Sequence, residues 1–479
     1  MTGSSTESQS NFTPAMIDAL RKAAEAYGQG HVFAFWDDLD EPRRNVLAGQ
    51  VSQVDFDLTR ELGELLSKPT TEQAVPSFEP PELFPLVRDE RKDQEARAAI
   101  KQGEALMSEG LVAAILVAGG QGSRLGFDGP KGIYPVGPVS NCSLFEWHAR
   151  RLMAAQQRYG AAMPWYIMTS ASNDAATRTF FEDNNYFGLR AADVQFFQQA
   201  MLPALDLEGK ILMASKGELF LAPNGHGGTL AALKSSGCLA DAAKRGIEAF
   251  SYFQVDNPLA MPADPLFLGL HVTEGASMSS KIVKKRDAGE KVGVIGMADG
   301  VLGCIEYSDL PAELREATDE QGELLFGAGN TAAHAFERRF LEELTGEGGI
   351  SLPWHVARKR MKVLDETGQI VERDGAKFET FIFDALGSAE RSITLETDRA
   401  LEFSPVKNAE GSDSPATTRR DLTVLFAGWL TEAGLTPPSL GEDGAHPLEV
   451  DPRFAEDAAS FAERMPADPN RRDEGEIFG

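Results

Sequence analysis

The chain is expected to adopt an α/β fold built on a mostly parallel sheet, and three observations carry that expectation. Short apolar runs recur at strand length, helical patterns follow them, and glycine-rich turns sit where one gives way to the other. Residues 111–132, LVAAILVAGGQGSRLGFDGPKG, show the first and the third. Residues 111–117 read as a buried strand, after which Gly119, Gly120, Gly122, Gly126, Gly129 and Gly132 surround Arg124 and Lys131. Backbone without side chains lets N–H groups approach a ligand, and two cations suit one carrying several negative charges, such as a nucleotide polyphosphate. A loop that only turns the chain is the alternative. The spacing fits neither the dinucleotide fingerprint, because Gly126 comes one place late, nor a P-loop, because no Gly-Lys-Ser/Thr follows.

The elements follow in order. Thr13-Pro14 reads as an N-cap and first helical position, with Ile17, Leu20, Ala24 and Tyr27 at helical spacing. HVFAFWDDLDEPRRNVLAGQV continues in helical style, and FEPPELFP, residues 78–85, reads as a linker. A helix over 89–109 leads into the opening strand. Ser143 with Glu146 marks a helix running to about residue 159. PWYIMTS is a strand, NDAATRTFFEDN a helix, VQFF a strand and TLAALKSSG a helix. FSYFQVDNPL is a strand ending at Asp256. Such alternation implies βαβ units, whose ligands sit beyond the carboxyl ends of the strands. KIVKKRDAGEKVGVIGMADG and VLGCIEYSDL read as strands with a hairpin at residues 298–300. A helix follows GNTAAHAF, another begins in KFETFIFDAL (377–386), and a last one covers 422–433. The first twelve residues are polar and expected to be frayed. The acidic, proline-dotted end is expected to be a small subdomain and a loose tail.

The 479 residues suffice for two or three domains, and a net charge of −27 argues against nucleic-acid binding. Three scattered cysteines, Cys142, Cys238 and Cys304, suggest neither a disulfide framework nor a zinc site. With no long apolar run and no signal-like N-terminus, the expectation is a cytoplasmic protein without a membrane partner.

Four groups could carry chemistry. The loop cations Arg124 and Lys131 could neutralise a leaving pyrophosphate. Asp256, at a strand end, suits one ligand of Mg²⁺, or simply caps its turn. APNGHGG (222–228) is a second glycine turn able to close over a base or sugar, and His226 is either a contact or an ordinary loop histidine. Lys407, in FSPVKN, matters only if the fold returns it to the crevice. No Ser-His-Asp or Cys-His spacing supports a covalent nucleophile.

LVAGGQGSRLGFDGPKGIYPVG resembles the nucleotide loop of the eukaryotic-type UDP-N-acetylhexosamine pyrophosphorylases, within the UTP–sugar-1-phosphate uridylyltransferase family. VQFFQQAMLPALDLEGKIL, VDNPLAMPADPLFLG, EKVGVIG, EYSDL, FGAGNTAAHAF, KFETFIFDAL and FSPVKN look like family blocks in the family's order, over residues 30 to 430. The resemblance implies a Rossmann-like nucleotidyltransferase domain with a mixed, mostly parallel central sheet over 101–385. A helical region (1–100) and a C-terminal region (386–479) would flank it. It implies UTP and a sugar 1-phosphate as substrates, Mg²⁺ as cofactor, and a monomer or weak homo-oligomer.

By position, Gly119, Gly120 and Gly122 would line the nucleotide, while Gln199 and Gly225 would read uracil. Arg124, Lys131 and Lys407 would hold phosphates, and Asp256 the metal. Gly293, Glu306, Asn330, Phe381 and Phe383 would line the hexosamine pocket. His226 stands where the hexosamine enzymes usually carry Asn, and Gly-His-Gly looks like the UDP-glucose branch. The implied sugar is N-acetylglucosamine 1-phosphate, with glucose 1-phosphate or a broader range behind it. A catalytically silent UDP-sugar sensor is the non-enzyme alternative.

Overall fold

Ten strands form one mixed sheet in the computed structural model, which describes residues 12–67, 76–346, 352–465 and 476–478. In chain order they are β1 (Phe78–Glu79), β2 (Val112–Val117), β3 (Trp165–Thr169), β4 (Val194–Gln198) and β5 (Ala249–Gln254). Then come β6 (Met278–Lys284), β7 (Val294–Ala298), β8 (Val301–Ile305), β9 (Ala328–Glu337) and β10 (Thr394–Glu396). The spatial order is β1-β7-β9-β5-β2-β3-β4, with β6 also on β9, β8 on β7 and β10 on β6. Strands β5, β2, β3 and β4 are mutually parallel, as helical crossovers require. From β9 onward the pairing is antiparallel except between β6 and β10.

Of the parallel strands, β2, β3 and β5 are buried runs, because helices cover them, while β4 at the sheet edge is only partly buried. Val112, Ala114 and Leu116 alternate onto one face, where they share a core with Ala96 and Ala99 of the Glu90–Ser108 helix. Leu144, Phe145 and Leu152 of the Leu144–Tyr159 helix and Leu422 and Phe426 of the Pro415–Glu432 helix join the same core. Ser143 caps its helix by accepting from Glu146 N, while the Glu146 carboxylate binds Arg150 and does not return to the cap.

The chain divides into two units of interleaved segments. The larger holds residues 76–199, 229–351 and 382–479; the smaller holds 1–75, 200–228 and 352–381. These units partition the chain differently from the three consecutive regions drawn above. In the smaller unit a five-stranded sheet contains a long hairpin, His355–Leu364 with Ile370–Glu379. Ala24, Leu47, Val51 and Leu62, from the helices Pro14–Ala26, Glu41–Ser52 and Phe56–Ser67, pack with Leu205, Ile211, Ala376 and Phe378.

Three local expectations need correction. The 78–85 stretch is not a linker: Phe78 and Glu79 pair with Ala298 and Met297, and Phe84 N donates to Thr394 O at 2.8 Å. Its prolines suit an edge, where no ladder donor is needed. KFETFIFDAL does not begin an α-helix, since its first residues end the Ile370–Glu379 strand and a 3₁₀ turn covers Ile382–Ser388. The last long helix starts earlier than expected, at Pro415, behind a Ser414–Thr417 capping box. For residues 1–11 the expectation of a frayed start falls outside the described residues, as does that for residues 466–475 of the acidic end. No helix among the described residues is long and apolar enough to cross a membrane.

Candidate active site

Because β5, β2, β3 and β4 run in parallel and in register, their carboxyl ends form one crest. β2 delivers the glycine loop there, β3 delivers residues 170–173, β4 delivers Gln199 and β5 delivers Asp256. The glycine loop folds on itself: Lys131 N donates to Gly120 O at 3.0 Å and Gly122 N to Gly129 O at 2.8 Å. Gly126, at φ 68°, ends the short turn that carries Arg124. Asn173, which sequence reasoning passed over, pins the loop from outside. Its amide donates to Ala118 O at 2.9 Å and Gly120 O at 3.3 Å, while its Oδ1 accepts from Ser170 N. The N–H groups of Gly119, Gly120 and Gln121 have no hydrogen-bond partner among the described residues and remain available to an anion.

Gly119 lies under the Gln199 side chain: a Cβ on it would stand 2.9 Å from Gln199 Oε1. Lys131 Nζ reaches Asp256 Oδ2 at 3.4 Å, with side chains 16% and 12% exposed. Arg124 is exposed. The fold also returns Lys407, because Val406 N donates to the carbonyl of Asp256 at 2.8 Å. The Asn257 amide donates to Glu402 O at 2.7 Å, and Ser404 N donates to Asn257 Oδ1 at 3.1 Å. Lys407 Nζ stands 5.6 Å from the Phe403 ring centroid. These contacts thus join Gly119 to Gln199, Lys131 to Asp256, and the Asp256 turn to the backbone beside Lys407, while Gly120, Gly122 and Arg124 lie in the same glycine loop.

Further along the sheet, Gly293, Glu306 and Asn330 meet at Cys304. Asn330 N donates to Gly293 O at 2.8 Å, and its side-chain amide points at Cys304 Sγ, 3.6 Å away. A Cβ on Gly293 would lie 2.7 Å from that sulfur and 3.7 Å from Glu306 Oε1. Burial pushes the Cys304 thiol well above its ordinary pKa, so it stays protonated beside Glu306. Phe383 is buried in the 3₁₀ turn of the same unit.

Gly225, His226 and Phe381 belong to the smaller unit. Gly225 has φ +81°, and a Cβ there would meet Thr380 N at 2.8 Å, so the turn tolerates no side chain. Gly227 N donates to Thr380 O at 2.8 Å. The His226 ring stacks on Phe381 at 5.3 Å, and His355, another residue the sequence did not mark, lies 4.3 Å from the same ring. Burial, with the neighbouring His355, lowers the His226 pKa to about 4, so its ring is neutral at pH 7.

Residues 76–423 match the UTP–glucose-1-phosphate uridylyltransferase family. The chain is 37% identical over 439 residues to a UDP-N-acetylhexosamine pyrophosphorylase-like protein 1 of Xenopus tropicalis, covering 87% of this chain and 85% of that one. It is 35% identical over 444 residues to the UDP-N-acetylglucosamine pyrophosphorylase of Saccharomyces cerevisiae, covering 88% and 92%. Its fold superposes on the uridine diphosphate N-acetylglucosamine pyrophosphorylase of Trypanosoma brucei with a TM-score of 0.79 at 28% identity, over 94% of this chain and 95% of that one. The UDP-glucose phosphorylase of the same organism, at 18% identity and TM-score 0.61 over 90% and 87%, shares the fold. With its glycine loop, Asp256 and the returning Lys407 all inside the matched span, the chain belongs to the UTP–glucose-1-phosphate uridylyltransferase family.

Proposed function

We propose that the protein joins UTP to N-acetylglucosamine 1-phosphate, giving UDP-N-acetylglucosamine and pyrophosphate. The observation that supports this reading is the Val406–Asp256 hydrogen bond, which ties the backbone beside Lys407 to the turn of Asp256, the partner of Lys131. Clustered cations and open backbone donors suit a reaction whose attacking group is already ionised. A sugar-phosphate oxygen attacks the α-phosphorus of UTP in line; its new P–O bond forms as the bond to the bridging oxygen of pyrophosphate breaks. Arg124 and Lys131 take up charge on the departing pyrophosphate, and Lys407 neutralises phosphate on the attacking side. The Gly119 and Gly120 amides, with Gly122 at the turn, cradle the nucleotide, and Gln199 reads the uracil edge.

Asp256 is the candidate metal ligand. Among the described residues no group of three or more His, Cys, Asp or Glu side chains could hold an ion. A single carboxylate suits a hard divalent cation completed by substrate phosphate oxygens, and we assign it as Mg²⁺. When bound, Mg²⁺ supplies further neutralisation of the phosphates.

For the sugar we assign Gly293, Glu306, Asn330 and Phe383 of the larger unit. A second reading, glucose 1-phosphate or a broader range, rests on His226 alone. Both are tested by pyrophosphate release across a panel of sugar 1-phosphates, with wild type and His226→Asn. N-Acetylglucosamine 1-phosphate is expected to rank first for wild type, and glucose 1-phosphate to lose ground in the variant. An unchanged ranking makes His226 a bystander, while UTP binding by calorimetry without turnover on any sugar marks a silent sensor.

A further inference from the structure

A buried charge cluster beside the site has no part in the chemistry above. Lys281, on β6, is 2% exposed, and its Nζ lies 2.5 Å from both Asp264 Oδ2 and Glu402 Oε2. Burial works against this ammonium, but the two carboxylates outweigh it and hold its pKa above the ordinary lysine value. Removing one member of such a cluster strands a buried charge. Replacing the whole cluster by apolar groups is often neutral for stability, so what it supplies here is geometry.

Both carboxylates are fixed at their other ends. Asp264 Oδ1 caps the Pro265–Thr273 helix, accepting from Leu266 N at 2.9 Å and Phe267 N at 3.3 Å. Glu402 closes the Arg399–Glu402 helix, and its carbonyl holds the Asn257 amide. From there the backbone runs directly to Lys407, tied by Ser404 N to Asn257, by Val406 N to Asp256, and by the Thr418 hydroxyl to Ser404 O at 3.0 Å. Phe403, next to Glu402, lies under the Lys407 ammonium.

We propose that Lys281 is a positioning residue for Lys407: by holding Glu402 it seats residues 402–407 against the Asp256 turn and sets where the Lys407 ammonium stands. The proposal rests on the assignment of Lys407 to the reacting phosphates. It gives a buried residue of β6 control over turnover, through one short strap of backbone.

The test is a double-mutant cycle on pyrophosphate release, with UTP affinity measured by calorimetry, using wild type, Lys281→Met, Lys407→Ala and the double variant. A parallel cycle uses Glu402→Gln, which leaves the Lys281–Asp264 pair intact and decides the matter if Lys281→Met does not fold. Displacing a catalytic group by about 1 Å costs on the order of 100-fold, so Lys281→Met is expected to lower kcat by roughly 10- to 100-fold. UTP affinity should stay within about twofold, and in the Lys407→Ala background the further loss should shrink to about twofold or less. An equal loss in both backgrounds, or UTP affinity falling in step with kcat, overturns the proposal, because a general structural defect removes active protein regardless of Lys407. If Lys407→Ala itself keeps wild-type kcat, the assignment of Lys407 fails first and the proposal falls with it.

Discussion

Lys131 and Asp256 neutralise each other across 3.4 Å, so this cation and this carboxylate are held together without net charge of their own. Losing either side of the arrangement should cost chemistry more than folding. Asp256→Ala and Lys407→Ala are each expected to lower kcat by on the order of 10²- to 10³-fold, the scale for removing one transition-state partner. Near-normal rates of pyrophosphate release in both would remove these residues from the site. Gly119 makes a finer prediction. A methyl group there meets Gln199 Oε1 at 2.9 Å, and that flexible amide must move aside. Losing one hydrogen bond to uracil is worth roughly 1 to 1.5 kcal/mol, so Gly119→Ala should weaken UTP binding by about tenfold. Calorimetry with UTP would show it, whereas binding at wild-type strength would free Gln199 from a role in reading the base. At this scale residue type alone was informative: clustered glycines and cations already spoke of phosphate. Asn173 and His355 stayed hidden because neither lies in a suggestive pattern, and each acquires its role only from a neighbour across the fold.

Elements meet closely where the sequence supplies no side chain. The helices Glu90–Ser108 and Pro265–Thr273 cross at Gly103 and Gly269. A Cβ on Gly269 would press into the Ala99 backbone and stand 3.0 Å from Gly103 N. Backbone cannot rotate away as a flexible side chain can. Gly269→Val is therefore expected to destabilise the protein by roughly 2 to 3 kcal/mol, read as a lower urea midpoint. Gly428→Ala is the control: in the Pro415–Glu432 helix, with open space around the added carbon, it should stabilise by about 0.5 to 1 kcal/mol. Both changes moving the midpoint the same way would refute the packing argument. Strands β2, β3, β4 and β5 were legible because each is an apolar run between turn residues. The His355–Leu364 and Ile370–Glu379 hairpin was not. One strand carries Arg358, Lys359, Arg360 and Lys362 and the other Glu372, Arg373 and Asp374, with Arg360 across from Asp374 and Lys362 across from Glu372; much of both is exposed, and no sustained apolar alternation marks them.

Across the whole molecule, buried titratable groups set the response to acid. Burial lowers the pKa of His148 and His271 to about 4. In the unfolded chain each would take up a proton near pH 6.5, so stability declines as pH falls from about 6.5 towards 4. His226 acts in the same direction. Glu456, which burial pushes up to about 7, opposes them, since its contribution is lost as pH rises from about 4.5 to 7. The histidines outnumber it, and net acid destabilisation is expected. Removing one of them with His271→Gln should reduce the stability lost between pH 7 and 5 by roughly 2 kcal/mol. Urea unfolding of wild type and variant at the two pH values checks this, and parallel losses would show that His271 does not titrate on unfolding.

What the sequence determined by itself was local chemistry and the order of blocks: a glycine loop after a buried strand, an aspartate at a strand end, and a family resemblance spread along the chain. Those depend on neighbours in sequence, which pattern and spacing reveal. Tertiary structure alone decided that Val406, the neighbour of Lys407, bonds the Asp256 carbonyl, that Asn173 pins the loop and that Lys281 is buried between two carboxylates. These contacts join stretches far apart in the chain, and only the pairing of strands and the packing of helices brings them within hydrogen-bond reach.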